Sequence, residues 1–300
     1  MLEQEVFKLI QARLYSSDCY LYEACPLGRV VVNLDGYSLP ESRYRFLTLP
    51  IWAWRAVMGA IMDVVATGAR PAGVSVSLGL PEDEVYEALT GALEAARYAG
   101  ATPMKHDTNT SREGWIDVLA VGELETSPVP RLPLRRRGEL IVVQIGYAGY
   151  GAVEYRLHSS GAGVEAVPPW LVKRKPPIEA WRAISRCQPA AASDNSDGLG
   201  YTIKVMARLG KLNITLDRHP LVDPKLTTQY NLTPSEALTS WEDYNLILLT
   251  DKAGLECLSE EIERTRTPWS VIGSASPGTG LVTIGGRALK LVGWERVKRG

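Results

Sequence analysis

An α+β fold in two blocks is what the sequence predicts, and three observations carry that reading. The first hundred-odd residues run strand, helix, strand, helix, strand, strand, which makes an α+β layer. A Pro- and Arg-rich stretch, "ETSPVPRLPLRRRGEL" (Glu125 to Leu140), interrupts the chain near its middle and reads as a solvated link. The 300 residues suffice for two domains of ordinary size, and 45% hydrophobic with 22% charged residues is a globular composition. The expected organisation is an N-terminal domain over 1–126, a linker over 127–138 and a C-terminal domain over 139–300.

Element by element, Glu3 to Tyr15 reads as helix. "RVVVNL" (Arg29 to Leu34) is a strand running into Asp35-Gly36. "IWAWRAVMGAIMDVVATGA" predicts a helix over Trp52 to Thr67, stopped by Gly68. "AGVSVSLGL" alternates as a strand and ends at Pro81. Pro81-Glu82-Asp83 then opens an amphipathic helix, with acids in its first turn, that stops at Gly100. "ATPMKHDTNT" is a short strand-to-loop element and "WIDVLAVGEL" a strand. In the second block, "LIVVQIG" is a strand and "SDGLGYTIKVMARLG" a helix starting at Ser196 or Asp197 and ending at Gly210. "NITLDRHPL" and "YNLILLT" are strands, Gly254 to Arg266 is a helix, and the pair "VIGSA" and "LVTIGG" precedes the C-terminal "LVGWERV".

Composition narrows the function. A formal net charge of −1 gives no surface for nucleic acid or anionic membrane, and no uninterrupted apolar run is long enough to span a bilayer. The N-terminus lacks a signal-peptide layout, so a cytoplasmic protein is expected. The four cysteines have no CxxC spacing and are expected as reduced thiols rather than disulfides or zinc ligands. His106, His158 and His219 are too scattered for a zinc site or a serine triad, and no Walker A or kinase HRD…DFG set is present.

What remains is acidic. Asp18, Asp35, Asp63, Asp107, Asp194 and Asp197 stand at element ends or inside apolar stretches. Asp63 is the sharpest case: Ile61, Met62, Val64 and Val65 surround it, so an isolated carboxylate there is costly unless a cation or N–H donor offsets it. For any one of these residues an Arg partner or a helix cap explains the carboxylate. Six together, with a lysine and a histidine beside only Asp107, suit hard cations with oxygen ligands, above all Mg²⁺ carried by a phosphate substrate. In "SDNSDGLG" (Ser193 to Gly200) a cap needs only one acid, and the stretch holds two, with Gly198 and a helix start to receive phosphate.

The motif order resembles the thiamine-monophosphate kinase family, within the aminoimidazole ribonucleotide synthetase-like ATP-binding superfamily. The matching segments are "SSDCYL" (Asp18), "VVNLDGY" (Asp35), "AIMDVVATGARP" (Asp63), "KHDT" (Asp107), "DNSDGL" (Asp194 and Asp197) and "SWEDYNL" (Glu242). The resemblance runs across nearly the whole chain. It implies a two-domain aminoimidazole ribonucleotide synthetase-like fold whose N-terminal sheets pair across a homodimer. It also implies Mg²⁺ on Asp18, Asp35, Asp63, Asp107, Asp194 and Asp197, with Asp197 and Asp107 catalytic. ATP as co-substrate falls to Tyr98, His106, Asp107 and Ser196, and the acceptor, thiamine monophosphate, to Glu242, Trp294 and Arg45.

The implied reaction is in-line transfer of the ATP γ-phosphoryl to a phosphate monoester, giving thiamine diphosphate. The chain departs from the family pattern at Ser17 in place of the first acid of an Asp-Asp pair, at Leu34, at Lys105-His106 and Ser240-Trp241 in place of Gly-Gly pairs, and at Arg45-Phe46 in place of His-Phe. Metal ligands are thus kept better than substrate contacts. Two other readings stay open: a superfamily paralogue acting on another small phosphorylated molecule, and a catalytically silent nucleotide-binding regulatory protein.

Overall fold

The structure is a computed structural model and describes residues 18–133 and 138–289. The helix expected over Glu3 to Tyr15 and the "LVGWERV" segment, with Trp294, lie outside the described residues.

The first sheet has the order β1-β2-β6-β3-β4, from β1 (Cys25–Leu27), β2 (Val30–Ser38), β3 (Arg70–Leu80), β4 (Thr102–Pro103) and β6 (Trp115–Glu123). The four residues of β5 (Asp107–Thr110) pair with β3 beyond the end of β4, Ser77 opposite Asp107. Pairing is antiparallel except where β4 and β5 join β3. One face of this sheet carries α1 (Leu49–Ala66) and α2 (Glu82–Tyr98). Alternation decides which side chains meet them: Ile116, Val118 and Ala120 of β6 are buried, while Asp117 and Leu119 face outward. The outward face also shows Leu27, Val30, Leu34 and Met104, with Leu34 71% exposed.

The helix predicted over Trp52 to Thr67 is α1, which starts three residues earlier because Pro50 fits the first turn. Its length of 18 residues and its composition would allow a membrane crossing, but Arg55 and Asp63 interrupt the apolar run and 83% of it is buried inside the fold. A helix apolar on all sides belongs in a core. It packs on β2, β3 and β6 on one side and on β8 (Ala191–Asp194) and α4 (Ala180–Cys187) on the other. One apolar cluster therefore continues from Val31, Val76 and Ile116 through α1 to Val143, Ile184 and Leu248.

The second sheet has the order β13-β12-β9-β11-β7-β10-β8, with β7 (Leu140–Ile145), β9 (Leu212–Leu216), β10 (Leu246–Thr250), β11 (Trp269–Pro277), β12 (Val282–Ile284) and β13 (Arg287–Ala288). Only β9 and β12 pair in parallel. Its other helices include α3 (Tyr150–Ser159), α5 (Leu199–Gly210) and α6 (Lys252–Thr265). β8 and α3, which the sequence reading left undivided, complete the frame around the acids.

Two expectations are corrected here. The cysteines are not free thiols: Cys19 pairs with Cys25, and Cys187 at the end of α4 pairs with Cys257 on α6. The second pair is 70 residues apart in sequence, so only the packing of α4 on α6 brings it together. Nor is the described part of the linker a loose tether. Val129 is buried and donates its N–H to Thr67 O, Arg131 donates to Leu21 O, and Ala192 donates to Pro130 O.

Candidate active site

Strand β2 brings Asp35, helix α1 brings Asp63 and the end of β8 brings Asp194 to one cleft of about 540 Å³, with Asp197 and Glu242 at its rim. Because α1 lies between the two sheets, an acid in its last turn faces the mouth between them. Carboxylate oxygens of Glu23, Asp63 and Asp194 all lie within 4.8 Å of one another. Asn33 Nδ2 donates to Asp63 Oδ2 at 2.5 Å. Asp194 is only 5% exposed and its Oδ2 has no hydrogen-bond partner. Burial raises the pKa of Asp63, and the charges of Asp194, Glu23 and Asp35 raise it further, with Arg131 opposing. Asp194 is raised by burial first and then by Glu23, Asp197 and Asp35. Such a crowd of half-desolvated acids is unfavourable unless protons or a cation occupy it.

The stretch "SDNSDGLG" divides differently from the expectation. Neither Ser196 nor Asp197 caps the helix: α5 begins at Leu199 after Gly198, whose φ of +118° turns the chain from strand to helix, a conformation few L-residues adopt. Asn195 Oδ1 accepts the Gly198 N–H at 3.0 Å and Ser240 O accepts the Leu199 N–H. Those two amides are therefore not available to a phosphate. Asp194 and Asp197 both line the cleft.

Glu242 is held from behind. Arg55 of α1, 2% exposed, donates Nη2 to Glu242 Oε2 and Nη1 to Glu154 Oε2 of α3. Arg174 pairs with the same Glu154 oxygen at 2.5 Å and reaches Asp243 at 4.0 Å. Asp243 in turn accepts the Gly149 and Gly151 amides at the start of α3. Charges thus alternate along a buried chain from Glu242 to Asp243. Removing one member would strand its partner and cost about 3–5 kcal/mol. Glu242 and Tyr244 both adopt positive φ, at +48° and +56°, and the loop presses so closely on α3 that a Cβ at Gly151 would stand 2.1 Å from Trp241 O. The middle acid of "EDY", Asp243, is a buried helix cap.

The remaining expected residues fall in several places. Asp18 opens a single turn of 3-10 helix, Asp18–Leu21, just before Glu23. Asp107 and His106 line a second cleft of about 400 Å³ with Ser75, Ser77, Lys105, Asp117 and Leu119, on the outward face of the first sheet. The described chain does not bring Asp107 to the Glu23–Asp63–Asp194 cluster, because its strand lies on the far side of β3 from β2. Leu34 lines both clefts. His106 Nδ1 accepts the Val76 N–H, and burial lowers its pKa. Tyr98 packs on Trp54 with ring centres 5.2 Å apart and lines neither cleft; Arg45 is exposed and lines neither. Ser196 lines the first cleft, and its carbonyl accepts the Glu242 N–H at 2.8 Å.

Sequence reasoning missed Glu23 and Arg131. Glu23 belongs to no motif, although it precedes a fully buried alanine. Arg131 was counted in a solvated arginine cluster, yet it lines the cleft and pairs with Glu23 at 3.4 Å; Arg135, Arg136 and Arg137 lie outside the described residues.

A sheet layer under two helices, with acids gathered where α1 meets a second sheet, defines a class. Residues 16–124 match the family model for the AIR synthase related protein, N-terminal domain. Beyond it, the chain is similar to the thiamine-monophosphate kinases. It is 25% identical over 264 residues to the thiamine-monophosphate kinase of Halobacterium salinarum, covering 87% of each chain. Its fold matches the thiamine monophosphate kinase from Aquifex aeolicus with a TM-score of 0.77 at 22% identity, over 97% of this chain and 99% of that one. It also matches a ThiL complexed with AMPPCP and TMP, with a TM-score of 0.82 at 22% identity over 97% and 96%.

Proposed function

We propose that this protein is an ATP- and Mg²⁺-dependent kinase that phosphorylates thiamine monophosphate to thiamine diphosphate. The observation that carries the reading is the unpartnered Asp194 Oδ2 among three carboxylates within 4.8 Å, in a cleft that also takes Asp35 and Asp197. An all-oxygen, multiply anionic donor set fits Mg²⁺, and Asp18, Asp35, Asp63, Asp194 and Asp197 are the residues that would hold it. Bound there, the cation would offset the repulsion between the ATP phosphates and an anionic acceptor. The named kinases and the AMPPCP and TMP complex support ATP and thiamine monophosphate as the two substrates.

The chain's own residues position the reactants. Arg131, whose Nε is buried without a partner, offers the cleft a positive charge for phosphoryl oxygens. Glu242, fixed by Arg55, orients the acceptor from the opposite rim. An acceptor that is already an anion needs no strong base, so in-line transfer asks mainly for alignment. We assign the nucleoside to the Asp107–His106 cleft, joined to the phosphates across Leu34; Tyr98, which lines neither cleft, has no part in this assignment. We also propose a homodimer through the outward face of the first sheet, where Leu27, Val30, Leu34, Met104 and Leu119 would be covered. Domains over 1–126 and 139–300 joined by 127–138 remain the proposed division.

The deciding experiment is a product assay with ATP over a panel of phosphate monoesters that includes thiamine monophosphate. Mg²⁺-dependent thiamine diphosphate supports the proposal. Turnover of another monoester alone would make the protein a paralogue, and ATP binding without any product would make it a silent nucleotide-binding protein.

A further inference from the structure

We infer that Glu23, a residue outside every recognisable motif, is a direct ligand of the divalent cation held by Asp63 and Asp194. The inference rests on the metal-site reading above and adds a member to it.

Three independent features place Glu23 for this role. Its backbone is clamped to the helix that carries Asp63: the Ala24 N–H donates to Thr67 Oγ1 at 2.9 Å, and that hydroxyl donates to Asp63 O at 2.9 Å. Leu21 O accepts the Arg131 N–H, and the Cys19–Cys25 disulfide closes the loop around residue 23. Second, the side chain is 12% exposed and enters the space that the buried, unpartnered Asp194 Oδ2 also faces. Third, its present partners do not explain the cluster. Ser193 Oγ donates to Oε1 at 2.5 Å, and Arg131 Nη1 meets Oε2 only at 3.4 Å.

An ion pair with Arg131 accounts for one carboxylate. Glu23, Asp63 and Asp194 line the same cleft, and among the described residues Arg131 is the one basic residue that lines it with them. Oxygens around Mg²⁺ lie about 2.1 Å from the ion and so roughly 3–4 Å from each other. Three oxygens already within 4.8 Å need only small side-chain adjustments to reach that spacing. Where the resemblance expects a pair of acids, this chain has Ser17-Asp18, and Glu23 restores the carboxylate count from a position five residues on.

The test uses the full chain and Mn²⁺ alone, its binding followed by calorimetry and by the loss of the free-ion EPR signal. Glu23→Gln should weaken Mn²⁺ binding by roughly tenfold or more while melting in chelator at or above wild type, because a repelling charge is gone. Arg131→Gln should bind Mn²⁺ at least as tightly as wild type, since it releases Glu23. A Glu23→Gln dissociation constant within about twofold of wild type overturns the inference. If Asp63→Asn loses Mn²⁺ in the same experiment, the metal-site reading survives without Glu23. If wild type binds no Mn²⁺, both fall. Should Glu23→Gln not fold, Glu23→Asp keeps the charge with a shorter reach, and an unchanged Mn²⁺ affinity there overturns the inference equally.

Discussion

Replacing Asp63 by Asn separates a metal ligand from a structural acid. Two unit charges 4.8 Å apart at an effective dielectric near 20 repel by roughly 3.5 kcal/mol. Asp63 has two such neighbours, Glu23 and Asp194, with Asp35 adding to them. Proton uptake already relieves much of this in the folded chain, so the net gain from Asp63→Asn is about 1–3 kcal/mol at neutral pH. The hydrogen bond from Asn33 survives, because a carboxamide oxygen still accepts. For a chain of this size the gain corresponds to a rise in Tm of about 2–10 °C in chelator. Mg²⁺ should stabilise wild type by mass action and the variant far less. Turnover of thiamine monophosphate should fall at least about a hundredfold. The assay is a melting series in chelator and in Mg²⁺ beside product formation. A variant that melts several degrees lower in chelator yet turns over near wild type would make Asp63 a core acid, and the reasoning would be wrong.

Because Gly198 rather than Asp197 precedes α5, Asp197→Ser should leave Tm within about 2 °C while turnover drops by orders of magnitude, with raised Mg²⁺ restoring part of it. Asp194→Ser should lose turnover too, and normal turnover in both would remove the metal account of this stretch. The raised pKa values of Asp63 and Asp194 mean that the folded chain binds more protons than the unfolded chain above the ordinary value of 3.8. Their contribution is fully present below that value and is lost as pH rises through the raised values. In chelator Tm should therefore climb as the buffer moves from about pH 8 to about pH 5, and saturating Mg²⁺ should flatten the trend; a flat profile in chelator counts against the cluster. Reducing Cys187–Cys257 opens a loop of 70 residues and should cost about 4 kcal/mol, a Tm loss near 10 °C. Full reduction confirmed by thiol titration, with Tm unmoved, would refute that estimate.

Much of the fold was legible from local pattern. Alternation marked β3, and an all-apolar run closed by Gly68 marked α1, because burial on one face or on all faces leaves a periodic trace. The chemistry was legible as well. Asp63 amid apolar neighbours and the paired acids of "SDNSDGL" advertise groups that must find a cation, wherever the fold puts them. What the tertiary structure alone decided is which of them meet. Asp35 and Leu34 are neighbours in sequence and point to opposite faces of one strand, so the outward face can take Asp107 into a separate cleft. Glu23 and Arg131 had no local signal, since their place depends on long-range bonds from Ala24 to Thr67 and from Arg131 to Leu21. Cys187 and Cys257 joined, and Asp243 became a buried cap, through packing between elements 70 and 92 residues apart in the chain. Sequence period records what each residue faces; it holds no record of the partner that another stretch of chain brings to that face.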